Sequence, residues 1–247
     1  MGGKEIRINR LLKNNRMFSV PLDHGVTNGP IGNLEEFQVL IQNVVNSGAT
    51  AIIVHKGMVR FLPSLKQTGL IVHLSASTDL DNEVNKVIVC SVEEALRIGA
   101  DAVSVHVNIG NTYEKKMIKD LADISSQCDY FGMPLLAMMY VRDDCNVNVI
   151  ETKKVMHAVR IAEELGADVV KISYIDDMVA LNQIVRTAQV PIVIAGGTRC
   201  SDEDALCKKT KEIMEQGVLG VSFGRNIFES PNPATTVAKI GSIVLCT

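Results

Sequence analysis

The chain has no tryptophan, and aromatic residues make up only 4% of its 247 residues. Its core must therefore be built from Val, Ile, Leu, Ala and Met, which suits a parallel sheet covered by helices. No apolar run approaches ~18 residues, so no segment is expected to span a membrane. There is no basic block and no stripe of Arg and Lys interleaved with aromatics, and the formal net charge is -3, which argues against nucleic-acid binding. The six cysteines (Cys90, Cys128, Cys145, Cys200, Cys207 and Cys246) include no C-x-x-C pair, so reduced thiols in a cytoplasmic protein are expected. The stretch from Met1 to Arg16 lacks the apolar centre of a secretory signal. Ile6 stands where a myristoylation signal needs Ser or Thr. With 47% hydrophobic and 21% charged residues, the composition is that of a globular chain.

What is present is a recurring mark. Ser47-Gly48-Ala49-Thr50 precedes Ala51-Ile52-Ile53-Val54-His55, and Ile98-Gly99-Ala100-Asp101 precedes Ala102-Val103-Ser104-Val105-His106. Leu165-Gly166-Ala167-Asp168 precedes Val169-Val170-Lys171, and Gln216-Gly217-Val218 precedes Leu219-Gly220-Val221-Ser222-Phe223. Each mark reads as a helix closed by glycine, then a short apolar strand. The intervals between marks fit two βα units each. Filling the gaps predicts eight strands, at residues 18–22, 51–55, 70–74, 102–107, 135–139, 169–173, 192–195 and 219–223. Helical patterns lie between most of them. Residues 34–46 place Leu34, Phe37, Ile41, Val44 and Val45 on one face, and 152–165 do the same with Val155, Val159 and Ala162. Ser201 with Asp204 reads as a capping box opening a helix to Glu215. Residues 75–86 read as a loop, and 233–245 as a last short helix. Strand–helix alternation implies a parallel sheet, and eight units imply an α/β fold of one (β/α)8 TIM barrel domain over residues 1–247.

In such barrels, reactions take place at the C-terminal ends of the strands. Polar residues collect there in this sequence: Asp23 and His24, His55 and Lys56, His73 and Ser75, His106 and Asn108, Tyr140 and Arg142, Lys171 and Ser173, Gly196 and Gly197, then Gly224, Arg225 and Asn226. Lys171 is the most telling of them. An ammonium in an apolar strand is expensive to desolvate, so its pKa is expected to fall. A neutral lysine amine is a nucleophile towards carbonyls. A structural lysine paired with a carboxylate in the barrel mouth is the plainer alternative. Glycines after the last two strands let backbone N–H groups approach a phosphate, with a helix N-terminus behind them and Arg225 or Arg199 adding charge. The alternative is that these glycines only close tight turns. Four histidines invite a metal reading, but they lie on four strands with no pair at helical spacing. His55 and His73 read as hydrogen-bonded strand ends, and His24, His106 and Lys56 as substrate contacts. His157 reads as a surface residue of a helix. No metal or cofactor is expected.

Several segments together carry a family likeness. Val20-Pro21-Leu22-Asp23-His24-Gly25-Val26, Val54-His55-Lys56-Gly57, Val72-His73-Leu74-Ser75, the run from Ala102 to Asn108, Leu136-Ala137-Met138-Met139-Tyr140, the run from Gly166 to Tyr174, and Gly224-Arg225-Asn226-Ile227-Phe228 resemble the class I aldolase family of archaeal fructose-bisphosphate aldolase. They resemble most its 2-amino-3,7-dideoxy-D-threo-hept-6-ulosonate synthase branch. The likeness runs from about Met17 to Pro231. It implies Lys171 as the Schiff-base lysine, Tyr140 as the acid/base and Asp23 as the active-site aspartate. It also implies a phosphorylated ketose donor, an aldehyde acceptor such as L-aspartate semialdehyde, and a homo-oligomer, often a ring of ten. The donor implied is 6-deoxy-5-ketofructose 1-phosphate, with dihydroxyacetone phosphate as a close variant. Four positions depart from the pattern. Met138 replaces the Trp of the fructose-bisphosphate branch, Val141 a usual Pro, and Thr198-Arg199 a common Pro-Lys. Other readings are a fructose-bisphosphate aldolase, a thiolase-like relative acting on a phosphorylated ketone, a metal-dependent aldolase, or a non-catalytic barrel that binds a phosphometabolite.

Overall fold

The computed structural model describes residues 2–80, 84–200 and 202–246. Eight parallel strands close into a barrel: β1 (Met17–Pro21), β2 (Ala51–His55), β3 (Gly69–His73), β4 (Ala102–Ile109), β5 (Leu135–Val141), β6 (Val169–Ile172), β7 (Ile192–Ala195) and β8 (Gly220–Ser222). Going round the barrel their order is β1-β8-β7-β6-β5-β4-β3-β2. This is the (β/α)8 architecture expected from the alternation of elements.

The recurring glycines have a geometric cause. The helices Phe37–Asn46, Val92–Arg97 and Thr152–Glu164 each end two residues before a glycine. Gly48, Gly99 and Gly166 have φ of 101°, 92° and 89°, values that a side chain makes unfavourable. The next N–H in each case turns back to a helix carbonyl: Ala49 to Val44, Ala100 to Ala95 and Ala167 to Ala162. This is the hydrogen bonding of a Schellman cap, and it redirects the chain into the following strand.

Side chains alternate across every strand. Those facing outward, such as Val20, Ile52, Val54, Val103, Val170 and Ile194, form the large core under the helices. Those facing inward at the lower end, among them Met17, Ala51, Ile53, Ile71, Leu136, Val169 and Val193, form a second buried cluster with Leu11 that fills the barrel floor.

Differences from the expected boundaries are local. Strand β4 runs on to Ile109 and β5 to Val141, because the two remain paired from Val103↔Leu135 to Ile109↔Val141. Tyr140 therefore lies within its strand rather than after it. The expected helix over 34–46 begins as a 3-10 turn, Gly32–Glu36. Residues 75–86 are not wholly loop: Ser75–Ala76 pairs antiparallel with Val87–Ile88 over the barrel mouth. The expected capping residue Ser201 lies outside the described residues. The cap of the helix Glu203–Met214 is Asp202, whose side chain accepts from the N–H of Ala205. The last helix runs over Pro233–Cys246, and His157 is exposed on its helix.

Candidate active site

Towards the C-terminal ends of the strands the inward positions change character. Two residues beyond six members of the apolar floor stands a polar one: Ser19 after Met17, His55 after Ile53, His73 after Ile71, Ser104 after Ala102, Tyr140 after Met138 and Lys171 after Val169. The fold thus stacks a titratable layer on an apolar plug. Above it opens a cavity of about 670 Å³ lined by Asp23, His24, His106, Tyr140, Lys171 and the glycine loops.

Lys171 is 5% exposed and reaches this cavity from β6. Its register neighbour on β5 is Met138, so the position that distinguishes this chain from the Trp-bearing branch adjoins the lysine. Asp23 follows β1. Its Oδ2 lies 3.8 Å from His73 Nε2, and its Oδ1 lies 3.4 Å from His24 Nδ1. At those distances the contacts are mainly electrostatic. Burial alone would raise the Asp23 carboxyl. The His24 contact and the positive potential from His73, His24 and Lys171 outweigh it and hold the group well below the usual carboxylate range. Burial is the main cause that lowers His73 to about 4, against the pull of Asp23 and with His55, Lys171 and Lys86 adding to it. His73 is thus neutral at neutral pH. His73 Nδ1 is held by Ser104 Oγ at 2.8 Å. His55 packs edge-on against His73 with ring centroids 5.3 Å apart, and burial lowers its pKa too. The strand-end reading of these two histidines agrees with their placement, and His73 also adjoins the candidate acid.

Tyr140 faces the same cavity from β5. Its ring packs on His106 at 4.7 Å between centroids. His106 is held by Asn108, Nε2 to Oδ1 at 2.9 Å, and burial keeps its pKa well below the ordinary value. The Asn108 amide donates in turn to the Val84 carbonyl at 2.7 Å, tying this wall to the segment over the mouth.

The glycine loops stand opposite. Gly196 and Gly197 follow β7, and Gly224 follows β8. The Gly196 carbonyl accepts from Lys209 Nζ at 2.9 Å, and the Gly197 carbonyl from Arg225 Nη2 at 3.1 Å. In a trans peptide the N–H points away from the preceding carbonyl. Lys209, which is not among the lining residues, thus fixes the orientation of the Gly196–Gly197 peptide. A side chain at Gly224 would force its neighbours to move: a Cβ there would meet His24 Cε1 at 2.7 Å and the Pro21 carbonyl at 3.2 Å.

Some expectations need correction. Lys56 does not line the cavity. It opens a 3-10 turn, Lys56–Phe61, and pairs with Glu94 at 3.0 Å on the outside. Arg199 is exposed and is not part of the lining either. The helix dipole behind the glycines is small, because the helix after β8 is the single turn Arg225–Phe228 and the helix after β7 is capped by its own Asp202. Among the described residues, no three histidine, cysteine or carboxylate side chains converge to hold a metal ion, nor is any helix long and apolar enough to cross a membrane. In the sequence Lys209 carries no signal beyond that of a lysine in a helix, and Arg142 stands out only as a strand-end residue.

A lysine, a carboxylate and a phenol held at one barrel mouth beside a glycine cradle are the parts of an imine-forming aldolase, and the comparisons agree. Residues 17–230 match the model of the DeoC/LacD family aldolases. The chain belongs to this family. It is 40% identical over 247 residues to a 2-amino-3,7-dideoxy-D-threo-hept-6-ulosonate synthase of Archaeoglobus fulgidus, covering 99% of this chain and 92% of the relative. It is 39% identical over 246 residues to the 2-amino-4,5-dihydroxy-6-oxo-7-(phosphonooxy)heptanoate synthase of Streptomyces griseus, covering 98% and 90%. Its fold superposes, with a TM-score of 0.91 and 27% identity over 98% of this chain and 99% of the other, on an archaeal fructose-1,6-bisphosphate aldolase whose catalytic lysine carries the carbinolamine intermediate of its substrate. As a DeoC/LacD family aldolase, the chain is an enzyme with the class I aldolase fold.

Proposed function

We propose that this enzyme is a class I aldolase or transaldolase that joins a ketose-derived fragment to an amino-acid aldehyde, with residues 1–247 acting as one barrel domain. The observation that carries this reading is the buried Lys171 amine sharing one cavity with the Asp23 carboxylate, the Tyr140 phenol and the glycine loops. Lys171 adds through its neutral amine to the donor ketone, and loss of water gives a protonated imine. With 6-deoxy-5-ketofructose 1-phosphate, that cation accepts the electron pair of the C3–C4 bond as it breaks, Tyr140 takes the proton of the C3 hydroxyl, a three-carbon phosphorylated aldehyde leaves, and an enamine remains on the enzyme. With dihydroxyacetone phosphate no C–C bond breaks; the cation accepts the electron pair of a C–H bond of the hydroxymethyl carbon, whose proton goes to the base, and the same kind of enamine results. The enamine carbon then attacks the acceptor aldehyde, and Tyr140 gives a proton to the new alkoxide. Asp23, held ionised, serves as base at the lysine and stabilises the iminium. Water finally hydrolyses the imine and frees Lys171. Gly196, Gly197, Gly224 and Arg225 receive the phosphate, and His24 and His106 touch the substrate.

The relatives' names narrow the acceptor. A seven-carbon 2-amino acid with hydroxyls at C4 and C5 and a ketone at C6 disconnects at C4–C5. The amino-acid half is L-aspartate 4-semialdehyde, and the other half is a three-carbon ketone fragment. The fragment keeps its phosphate if dihydroxyacetone phosphate is the donor, and ends in a methyl group if 6-deoxy-5-ketofructose 1-phosphate is. Met138 beside Lys171 favours either donor over fructose 1,6-bisphosphate. A homo-oligomeric, cytoplasmic enzyme completes the reading; light scattering on the purified chain tests the assembly.

The deciding experiment is borohydride reduction in the presence of dihydroxyacetone phosphate, and separately of 6-deoxy-5-ketofructose 1-phosphate, followed by intact mass and peptide mapping. An adduct on Lys171 is expected. Full protection from trapping with both ketones, together with loss of activity in a chelator, would overturn the imine mechanism.

A further inference from the structure

The proposed reaction leaves one cation in the cavity unused. Arg142 follows Tyr140 by two residues and lines the cavity. Its Cζ lies 5.7 Å from the centre of the Tyr140 ring. The turn after β5 holds one edge of its guanidinium. Nη1 donates to the carbonyl of Asn146 at 3.1 Å and to its side-chain oxygen at 2.8 Å. Asn146 sits in the left-handed region with φ of 62°. The turn is closed by Asp143, whose Oδ1 accepts from the N–H groups of Cys145 and Val147. This pins the guanidinium in one orientation.

The other edge lacks a partner. Nε is buried without a hydrogen bond, and the guanidinium's hydrogen bonds among the described residues are those of Nη1 to Asn146. Nε–H and Nη2–H run parallel on that edge, a spacing that matches the two oxygens of a carboxylate. An unpaired, half-buried guanidinium is unfavourable unless an anion completes it. Burial lowers its pKa against the pull of Tyr140, with repulsion from Arg225 adding to the fall.

Resting on the aldolase reading above, we propose that the free edge of Arg142 binds the carboxylate of the acceptor aldehyde and so selects anionic over neutral acceptors. The donor phosphate has its own cradle after β7 and β8, with Arg225 attached. The acceptor's aldehyde oxygen must come to the Tyr140 hydroxyl, and Arg142, two residues on and just past the end of that strand, lines the same cavity. An acceptor with its aldehyde at one end and a carboxylate a short chain away spans the two.

The test compares wild type with Arg142→Met and Arg142→Lys. Three constants are measured: the KM for L-aspartate 4-semialdehyde, the KM for succinate semialdehyde, and the KM for neutral D-glyceraldehyde. The half-saturating dihydroxyacetone phosphate in borohydride trapping on Lys171 is measured beside them. Arg142→Met should raise both anionic-aldehyde KM values by roughly 10- to 100-fold, the loss of a charge-assisted pair. It should leave D-glyceraldehyde and trapping unchanged. Arg142→Lys should recover part of the loss, since it keeps the charge and lacks the fork. If the half-saturating donor concentration rises instead, the anion is the donor phosphate and the assignment is overturned. It is also overturned if wild type shows no preference for anionic over neutral aldehydes, or if all constants move together. Should the Met variant not fold, Arg142→Gln, which can still donate to Asn146, takes its place. Absence of trapping in wild type with both dihydroxyacetone phosphate and 6-deoxy-5-ketofructose 1-phosphate would sink the imine mechanism on which the role of Arg142 rests. Normal trapping with no acceptor discrimination would sink only the role of Arg142.

Discussion

The two halves of the cavity are built differently. The corner around Lys171, Asp23, His73 and Tyr140 is made of side chains whose places follow from strand register. The cradle around Gly196, Gly197 and Gly224 is made of backbone, exposed by the absence of side chains, with its carbonyls held by Lys209 and Arg225. His24 joins the two. It contacts Asp23, packs against Gly224 and meets the Phe228 ring edge-on at 4.9 Å. The difference teaches how each region should fail. In the corner, chemistry can be removed while the scaffold persists. In the cradle, adding an atom changes the scaffold and with it the binding.

The largest expected effect is at Lys171. Lys171→Ala should abolish borohydride trapping and lower kcat by more than ~10³-fold, because covalent catalysis is lost outright. A variant that still traps ketone would move the imine to another lysine and dissolve the distinction between the halves. Tyr140→Phe should lower kcat by about 10²- to 10⁴-fold, the range for a general acid/base, with adduct formation on Lys171 preserved; stopped-flow turnover beside mass spectrometry separates the two. Gly224→Ala tests the cradle. With His24 and the Pro21 carbonyl already close to where its methyl must sit, the KM for the phosphorylated donor should rise by roughly tenfold or more, the equivalent of a lost charge-assisted bond. An unphosphorylated ketone donor should be affected far less. Lys209→Met removes the bond that holds the Gly196 carbonyl. It should raise the same KM by about fivefold, near the net worth of one hydrogen bond, and leave kcat at saturation unchanged. A fall in kcat alone would place Lys209 with the chemical corner.

The last contrast is one of pH and is read in stability. His73 titrates at about 4 in the fold against 6.5 in an unfolded chain. Between those values the unfolded state takes up a proton that the folded state refuses, so stability is full above pH 6.5 and declines as pH falls towards 4. Buried His55 and His106 shift in the same direction and steepen the slope. Asp23, ionised throughout this window, adds nothing to it. Thermal melts from pH 7.5 to 4.5 should show a falling Tm, and His73→Gln should flatten the decline. An equal slope in that variant would remove His73 from the account.

Much of this was legible in the chain. The helix-closing glycines at 48, 99 and 166 carry their geometry in residue type, because only glycine takes that φ without strain. Once eight strands are counted, closure into a barrel and the polar residues at one end follow from alternation alone. Lys171 is conspicuous because ionisable groups are rare in buried strands. The misplacements share a cause. Lys56 and Arg199 stand at strand or loop ends like true lining residues, and only the turn of the chain after them decides whether a flexible side chain faces the mouth or the outer helices. The helix dipole was overestimated because helix length after a strand depends on what packs against it.

Sequence by itself therefore determined the architecture, the layer of titratable residues and the family, since these rest on periodicity and residue type. Tertiary structure alone decided that His73 is neutral and faces Asp23, that Met138 adjoins Lys171, that Lys209 holds the glycine loop and that one edge of Arg142 lacks a partner. Those facts depend on register between strands distant in the chain and on burial, which fixes both the desolvation of a charge and the number of partners it finds.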